Sequence, residues 1–369
     1  MLAVVWLLGT SGVGKSTVGY RLRAELAEYG VVAAFVDADQ LRLAAGVRAS
    51  ETQLVAAGLR ALVPGYRESG ARMLIVAGLA DDPAHLARLL PDVPRERVLA
   101  CPLHADADAV RARIRQRAWL TEQAEQAVGY AATIDPAVAD LRVDTSALTP
   151  DEVSRRLAAA ALAHVERAGT AADHEPFGPA ATDPAAGVVL VTGPGGVGSS
   201  TAGFQTFLRL ADAGSSVAYL DAHQLGFVGA DPRGRHLARL RARNARAMIG
   251  ALAAHGARTV VVTADIATAR EFANSVGDEL DTATFVLRAA PRTLDARIRR
   301  RARGDGPPIA GDHRRGLAGR ALDESIAASI DEAARIDEDL PGAHPLSTDD
   351  TDPAGVAAWI AERAGRAST

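Results

Sequence analysis

The chain has 369 residues, 48% of them hydrophobic, and a net charge of −4 from 41 basic and 45 acidic residues. That balance offers no basic stripe for nucleic acid or an anionic membrane surface, and the single cysteine, Cys101, excludes an intramolecular disulfide. The length suits two domains of ordinary size, and a soluble, cytoplasmic protein is expected.

Residues 2–8 are an apolar run, too short to span a bilayer and without a basic leader. The run leads into a Gly-rich stretch, which predicts a buried strand. Beyond the stretch, Val18, Leu22, Leu26 and Tyr29 recur at helical spacing, and Gly30 is placed to end that helix. A strand over 31–36 then leads to Asp37. A helix over 51–69, a strand over 72–77, a strand over 98–103 and an Arg-rich helix over 106–128 follow. A short strand from Val143 and a helix over 150–167, opened by Thr149-Pro150-Asp151-Glu152, complete the first half. Near-continuous apolar strands alternating with helices predict an α/β fold, a parallel sheet covered on both faces.

The second half repeats the first. Gly9, Gly14, Ser16, Thr17, Gly30, Asp37 and Gln40-Leu41 recur 184 residues later as Gly193, Gly198, Ser200, Thr201, Gly214, Asp221 and Gln224-Leu225. Strands are predicted near 187–192, 216–220, 258–263 and 283–288. The chain therefore reads as two tandem domains, 1–167 and 187–369, joined by an Ala-, Pro- and Gly-rich linker over 168–186.

Residues 9–17, GTSGVGKST, match the pattern G-x-x-x-x-G-K-[ST] between a predicted strand and a predicted helix. Gly9, Gly12, Val13, Gly14, Lys15, Ser16 and Thr17 would wrap backbone N–H groups around phosphate at a positive helix end. Lys15 would reach the outer phosphates and Ser16 would hold Mg²⁺. Lys15 is the only lysine beside 40 arginines, as expected where a compact point charge is needed. In VDADQLR, Asp37 and Asp39 share one side of a strand end, where open α/β sheets bind ligands. Arg113 and Arg117 lie four apart on one helix face, recur as Arg297 and Arg301, and suit a lid that stabilises a transferring phosphoryl group.

LLGTSGVGKSTVGYRLRAEL followed by VDADQLR resembles the P-loop small-molecule kinases. These include gluconate, shikimate and adenylylsulfate kinases and the related zeta-toxin and antibiotic phosphotransferase branches. The resemblance implies two P-loop NTPase domains of the nucleoside-kinase-like type. It also implies ATP, Mg²⁺ and transfer of the γ-phosphate to a hydroxyl of a small-molecule acceptor. Lys15 and Ser16 would bind nucleotide and metal, Asp37 would be the metal-side acid and Asp39 the acceptor-side acid. The first copy departs from the pattern after its third strand, where Ala77-Gly78-Leu79 carries no acid and Asp81 is the nearest. Its lid is also the shorter of the two.

The second copy reads GPGGVGSST, with Ser199 in place of the lysine, and VAYLDAHQL, with His223 in place of Asp39. Both changes fall on positions that chemistry would need, so the expectation is catalysis in the first copy and a non-catalytic second copy. Gly198, Ser199, Ser200, Thr201, Asp221 and His223 remain a possible second ligand site. A monomer acting as an intramolecular pseudo-dimer is expected, without nucleic-acid or membrane partners. The rival reading is an ATP-binding regulatory or scaffold protein that transfers no phosphate.

Overall fold

The computed structural model describes residues 2–116, 121–169, 186–231, 236–276, 280–307, 309–340 and 342–367. The first copy runs β1 (Ala3–Leu8), α1 (Lys15–Glu28), β2 (Ala33–Asp37), β3 (Ala44–Ala45), α2 (Glu51–Glu68), β4 (Met73–Ala77), α3 (Pro83–Leu89), β5 (Val98–His104), α4 (Ala107–Gln116), α5 (Ala124–Ala131), β6 (Val143–Asp144) and α6 (Pro150–Gly169). The second runs β7 (Gly187–Thr192), α7 (Ser199–Asp212), β8 (Val217–Asp221), β9 (Phe227–Val228), α8 (His236–Ala254), β10 (Thr259–Ala264), α9 (Ile266–Val276), β11 (Thr282–Arg288), α10 (Pro291–Ala302), α11 (Gly319–Asp339), β12 (His344–Ser347) and α12 (Pro353–Ala367).

Each copy builds one sheet, ordered β6-β5-β1-β4-β2-β9 and β12-β11-β7-β10-β8-β3. The strand before the Gly-rich loop is central in both, and the strands contributed by one copy are parallel. Alternation along β1 explains why every residue of it is buried. Ala3, Val5 and Leu7 face Leu22 and Leu26 of α1 and Leu157 of α6. Val4, Trp6 and Leu8 face Leu54, Leu59 and Leu62 of α2. Reciprocal bonds between Ser50 and Gln53 cap α2, and Thr149 and Glu152 cap α6 in the same way.

The sheets are completed by exchange. β9 of the second copy pairs antiparallel with β2 of the first, Phe227 opposite Phe35. β3 of the first copy pairs antiparallel with β8 of the second, Ala44 opposite Ala218. Each short strand covers an edge that would otherwise expose unpaired backbone groups. Phe227 is fully buried in the first copy's core, 5.1 Å from Tyr20 and 6.1 Å from Phe35 between ring centroids. Between the sheets α2 packs on α8: Gly58 leaves room for Met248, and Gly65 for Asn244, whose amide donates to the Leu225 carbonyl at 2.7 Å. One hydrophobic cluster therefore runs through both copies.

Two sequence expectations change. The helix expected over 106–128 is two helices, α4 and α5, with a 3₁₀ turn over Thr121–Gln123. Arg111 clasps Glu125 at 2.7 and 2.9 Å, which folds α5 back on α4, and Ala124 and Ala127 pack into the core. An unbroken helix would carry those residues away from the core. The helix expected to stop at 167 continues to Gly169, and the rest of the expected linker, 170–185, lies outside the described residues. No described helix is long and apolar enough to cross a membrane.

Candidate functional site

In both copies six residues separate the end of the central strand from the start of a helix, which has no side-chain cap on its first N–H groups. Gly14 and Gly198 hold the N-cap positions at φ 99° and 101°, a left-handed conformation that a side chain would strain. The first N–H groups of each helix thereby lie at the positive end of its dipole.

In the first copy Lys15 Nζ donates to the carbonyls of Gly9 and Thr10 at 2.6 and 2.9 Å, folded over the turn formed by Gly9, Gly12, Val13 and Gly14. Ser16 Oγ donates to Asp37 at 2.5 Å, and Thr17 is exposed beside it. Asp37 in turn accepts from the Asp39 N–H at 3.0 Å. Burial first, and then the neighbouring Asp39 charge, raises the Asp37 carboxyl above its ordinary range. Asp39 is exposed and ion-paired with Arg42 at 2.7 Å, and Arg42 also reaches Glu51. The Thr10 hydroxyl donates to the Ala127 carbonyl at 2.6 Å, so α5 sits on the loop.

Arg113, expected in the lid, turns toward the loop after β6. The Arg113 guanidinium reaches the Thr145 hydroxyl at 3.0 Å and the carbonyls of Thr145 and Ser146. The Thr145 hydroxyl also lies 3.2 Å from the Val13 carbonyl. Arg113 thus ties α4 to the loop after β6 and braces the Gly-rich turn from behind. Its counterpart Arg297 does the same with Thr348 and, directly, with the Val197 carbonyl at 2.8 Å. Arg117 lies outside the described residues. Its counterpart Arg301 holds Asp312 at 2.6 Å and the carbonyls of Asp305 and Pro307, fastening the longer lid segment of the second copy.

A cleft of about 880 Å³ opens over the second loop. Gly198, Ser199, Ser200, Thr201, Asp221 and His223 all line it. Ser200 Oγ donates to Asp221 at 3.1 Å, repeating the Ser16–Asp37 contact. Burial pushes the Asp221 carboxyl up to about 6. Burial and the Arg241 charge push His223 down to about 4, so the ring is neutral near pH 7 and a weak base. It sits edge-on to Phe227, 5.4 Å between ring centroids.

Sequence reasoning missed several side chains that the fold brings to these sites. Asp265 follows β10, lines the cleft and pairs with the buried Arg241 at 3.2 Å. The acid at the end of VVVTAD was its signal, where the first copy has Leu79 at the end of IVAGL. Arg314 and Glu332 also line the cleft, and nothing local in the sequence ties either to the loop. In the first copy, Asp81 accepts from the Tyr130 hydroxyl and lies 3.0 Å from the His85 ring. The other ring nitrogen of His85 lies 3.2 Å from the Thr52 hydroxyl. This polar cluster joins α2, α3 and α5.

Residues 1–49 match the family model of adenylylsulphate kinase. The chain thus resembles the P-loop small-molecule kinases, as the loop and the segment after β2 imply. Among solved structures, the Mycobacterium tuberculosis APS kinase in complex with AMPPNP and APS is 20% identical. That match covers 45% of this chain and 98% of the other, with a TM-score of 0.34. The Deinococcus radiodurans tunicamycin resistance protein is 17% identical over 49% of this chain and 96% of the other, with a TM-score of 0.33. A putative polyphosphate kinase 2 from Pseudomonas aeruginosa covers 100% of this chain and 91% of its own at 11% identity, with a TM-score of 0.29. No curated protein sequence matches the chain.

Proposed function

We propose that the protein is an ATP-dependent phosphotransferase that moves the γ-phosphate to a hydroxyl of a small-molecule acceptor, with its chemistry in the first copy. The grouping of Lys15, Ser16 and Asp37 at the N-terminus of α1 carries this reading. A triphosphate entering the loop would take Lys15 Nζ from the carbonyls of Gly9 and Thr10, and the uncapped N–H groups of α1 would bind its oxygens. Ser16 and Asp37 are the residues that would hold Mg²⁺. The hydroxyl and the crowded carboxylate fit a hard cation that takes few protein ligands and keeps waters and phosphate oxygens. Bound there, Mg²⁺ would neutralise charge on the terminal phosphates.

Asp39 is on the acceptor side. Its pair with Arg42 orients it to accept the proton of an attacking hydroxyl. The cluster of Asp81, His85, Thr52 and Tyr130 offers a polar wall for a hydroxylated acceptor. The test is acceptor-dependent ADP release across a panel of hydroxylated metabolites. Wild type should turn over at least one of them, and Lys15→Ala should lower that rate by about 100-fold or more. Undiminished release from Lys15→Ala would remove the assignment.

One observation favours a second reading, a nucleotide-reading regulatory protein: the first copy has Leu79 where the second has Asp265, and so no acid at that strand end. Such a protein would bind ATP yet show no acceptor-dependent turnover on any member of the panel.

A further inference from the structure

The second loop lost its lysine, yet it faces a large cleft. The loop also differs from the first at another position: Gly195 stands where the first copy has Ser11. That glycine admits a side chain from elsewhere, since a Cβ at Gly195 would collide with the guanidinium of Arg314. Arg314 belongs to the segment between α10 and α11, the part of the lid that is longer in the second copy. Its Nε is buried and has no hydrogen-bond partner, and its guanidinium borders the cleft. The segment is held in place by Arg301 on Asp312 and by Gln224, whose amide donates to the Ala310 carbonyl at 3.0 Å.

A second contact points the same way. The Gly195 N–H, one of the loop donors, donates to a Glu332 carboxylate oxygen at 2.9 Å. A carboxylate from α11 thus rests on a loop amide that is suited to phosphate oxygen. The Ser200–Asp221 pair persists beneath it, with Asp265 on the same cleft wall. The cleft continues past the loop to Thr348, Thr351 and Val356 at the start of α12. It is therefore longer than a lone phosphate needs.

We infer that the second loop is a nucleoside-polyphosphate site in its own right, with Arg314 supplying the cation in place of the missing lysine and Glu332 as the internal anion that the ligand displaces. The cation arrives from the lid instead of from the helix that follows the loop. Binding therefore couples to the seating of residues 309–318 in a way that a helix-borne lysine would not. Gly195 and Ser199 are then two halves of one exchange: the loop gave up its own charge and cleared space for a borrowed one.

Calorimetric titration of the full chain with a non-hydrolysable ATP analogue and Mg²⁺ tests this in a Lys15→Ala background, which disables the first loop. One site should remain. Adding Arg314→Ala should weaken it at least 20-fold, whereas Arg314→Lys should stay within about fivefold. Gly195→Ser, which restores the first copy's residue and displaces the guanidinium, should weaken it at least tenfold. Glu332→Gln should tighten it several-fold by removing the competing charge. Inorganic triphosphate should bind more weakly than the nucleotide, because the far end of the cleft then stays empty. Thermal melts of each variant accompany the titrations, and if Arg314→Ala does not fold, Gly195→Ser and Glu332→Gln decide the matter. Loss of all binding in Lys15→Ala alone would overturn the inference, as would affinities unchanged by both Gly195→Ser and Glu332→Gln. The readout is binding to a chain whose first loop is disabled, so it stands apart from any failure of the proposed phosphotransfer.

Discussion

The two Gly-rich loops have nearly the same backbone and opposite surroundings. The first carries its own cation, Lys15, folded onto Gly9 and Thr10, and is covered by α5 through Thr10 and Ala127. The second carries no cation of its own and opens to a cleft rimmed by a longer lid, from which Arg314 reaches in beside Gly195. Both keep the hydroxyl–carboxylate pair at the helix start, Ser16 with Asp37 and Ser200 with Asp221. The comparison separates what the turn geometry requires from what charge requires. Glycines and the helix start fix where N–H groups converge, while the positive charge can come from any segment that packs there. Loss of one letter of a motif therefore removes a residue without settling the fate of the site.

The comparison can be broken or sharpened at several points. The largest effect is expected where the copies interlock. Phe227→Ala would leave a cavity between Tyr20 and Phe35 in the first copy and should cost about 3–5 kcal/mol in denaturant unfolding. The second loop's surroundings should loosen with it, since Phe227 also contacts His223 and Gly311. Next, Asp39→Asn should lower acceptor-dependent turnover about 100-fold while ATP affinity changes little, measured by ADP release and calorimetry. The equivalent change in the second copy, His223→Asp, should not raise turnover, because that position is half-buried against Phe227 and no lysine stands on its loop.

A smaller effect concerns pH. His223, held near 4 in the fold against an ordinary 6.5, stays neutral while the unfolded chain takes up a proton. The fold therefore loses stability as pH falls from about 6.5 toward 4. Asp221, pushed up to about 6 from 3.8, binds its proton more tightly in the fold and acts in the opposite sense over the window between those values. His223→Gln should remove the first effect and expose the second. Urea unfolding at pH 4.5 and 7.5 should show a relative gain of about 1–3 kcal/mol at the lower pH. The smallest effect is at Ser199. Ser199→Lys should change nucleotide affinity of the second loop by less than about threefold, because Arg314 already supplies the charge.

The sheets were legible because parallel strands covered on both faces leave apolar runs, as in residues 2–8 and 73–77. The turn was legible because its glycines and its lysine stand at fixed spacing. The exchanged strands were not: Ala44–Ala45 and Phe227–Val228 are two residues each, too short to show a period. The spacing of Arg113 and Arg117 gives a helix face but not the direction of a guanidinium, and Arg113 turned toward Thr145. Asp265 could have been read from the strand-end acid that the first copy lacks. Arg314 could not, since it meets Gly195 across more than a hundred residues and only folding brings them together.

The reciprocal strands also change what the covalent join has to do. With β9 in the first sheet, β3 in the second and a shared core between α2 and α8, separating the copies would tear an edge from each sheet and open the core. A single protease cut within residues 170–185 should therefore leave the nicked chain intact on a sizing column. The two halves, produced as separate polypeptides, should fold well only in each other's presence. The peptide link then serves mainly as a tether that raises local concentration during folding, and genetic excision of either half is the wrong way to ask what that half does.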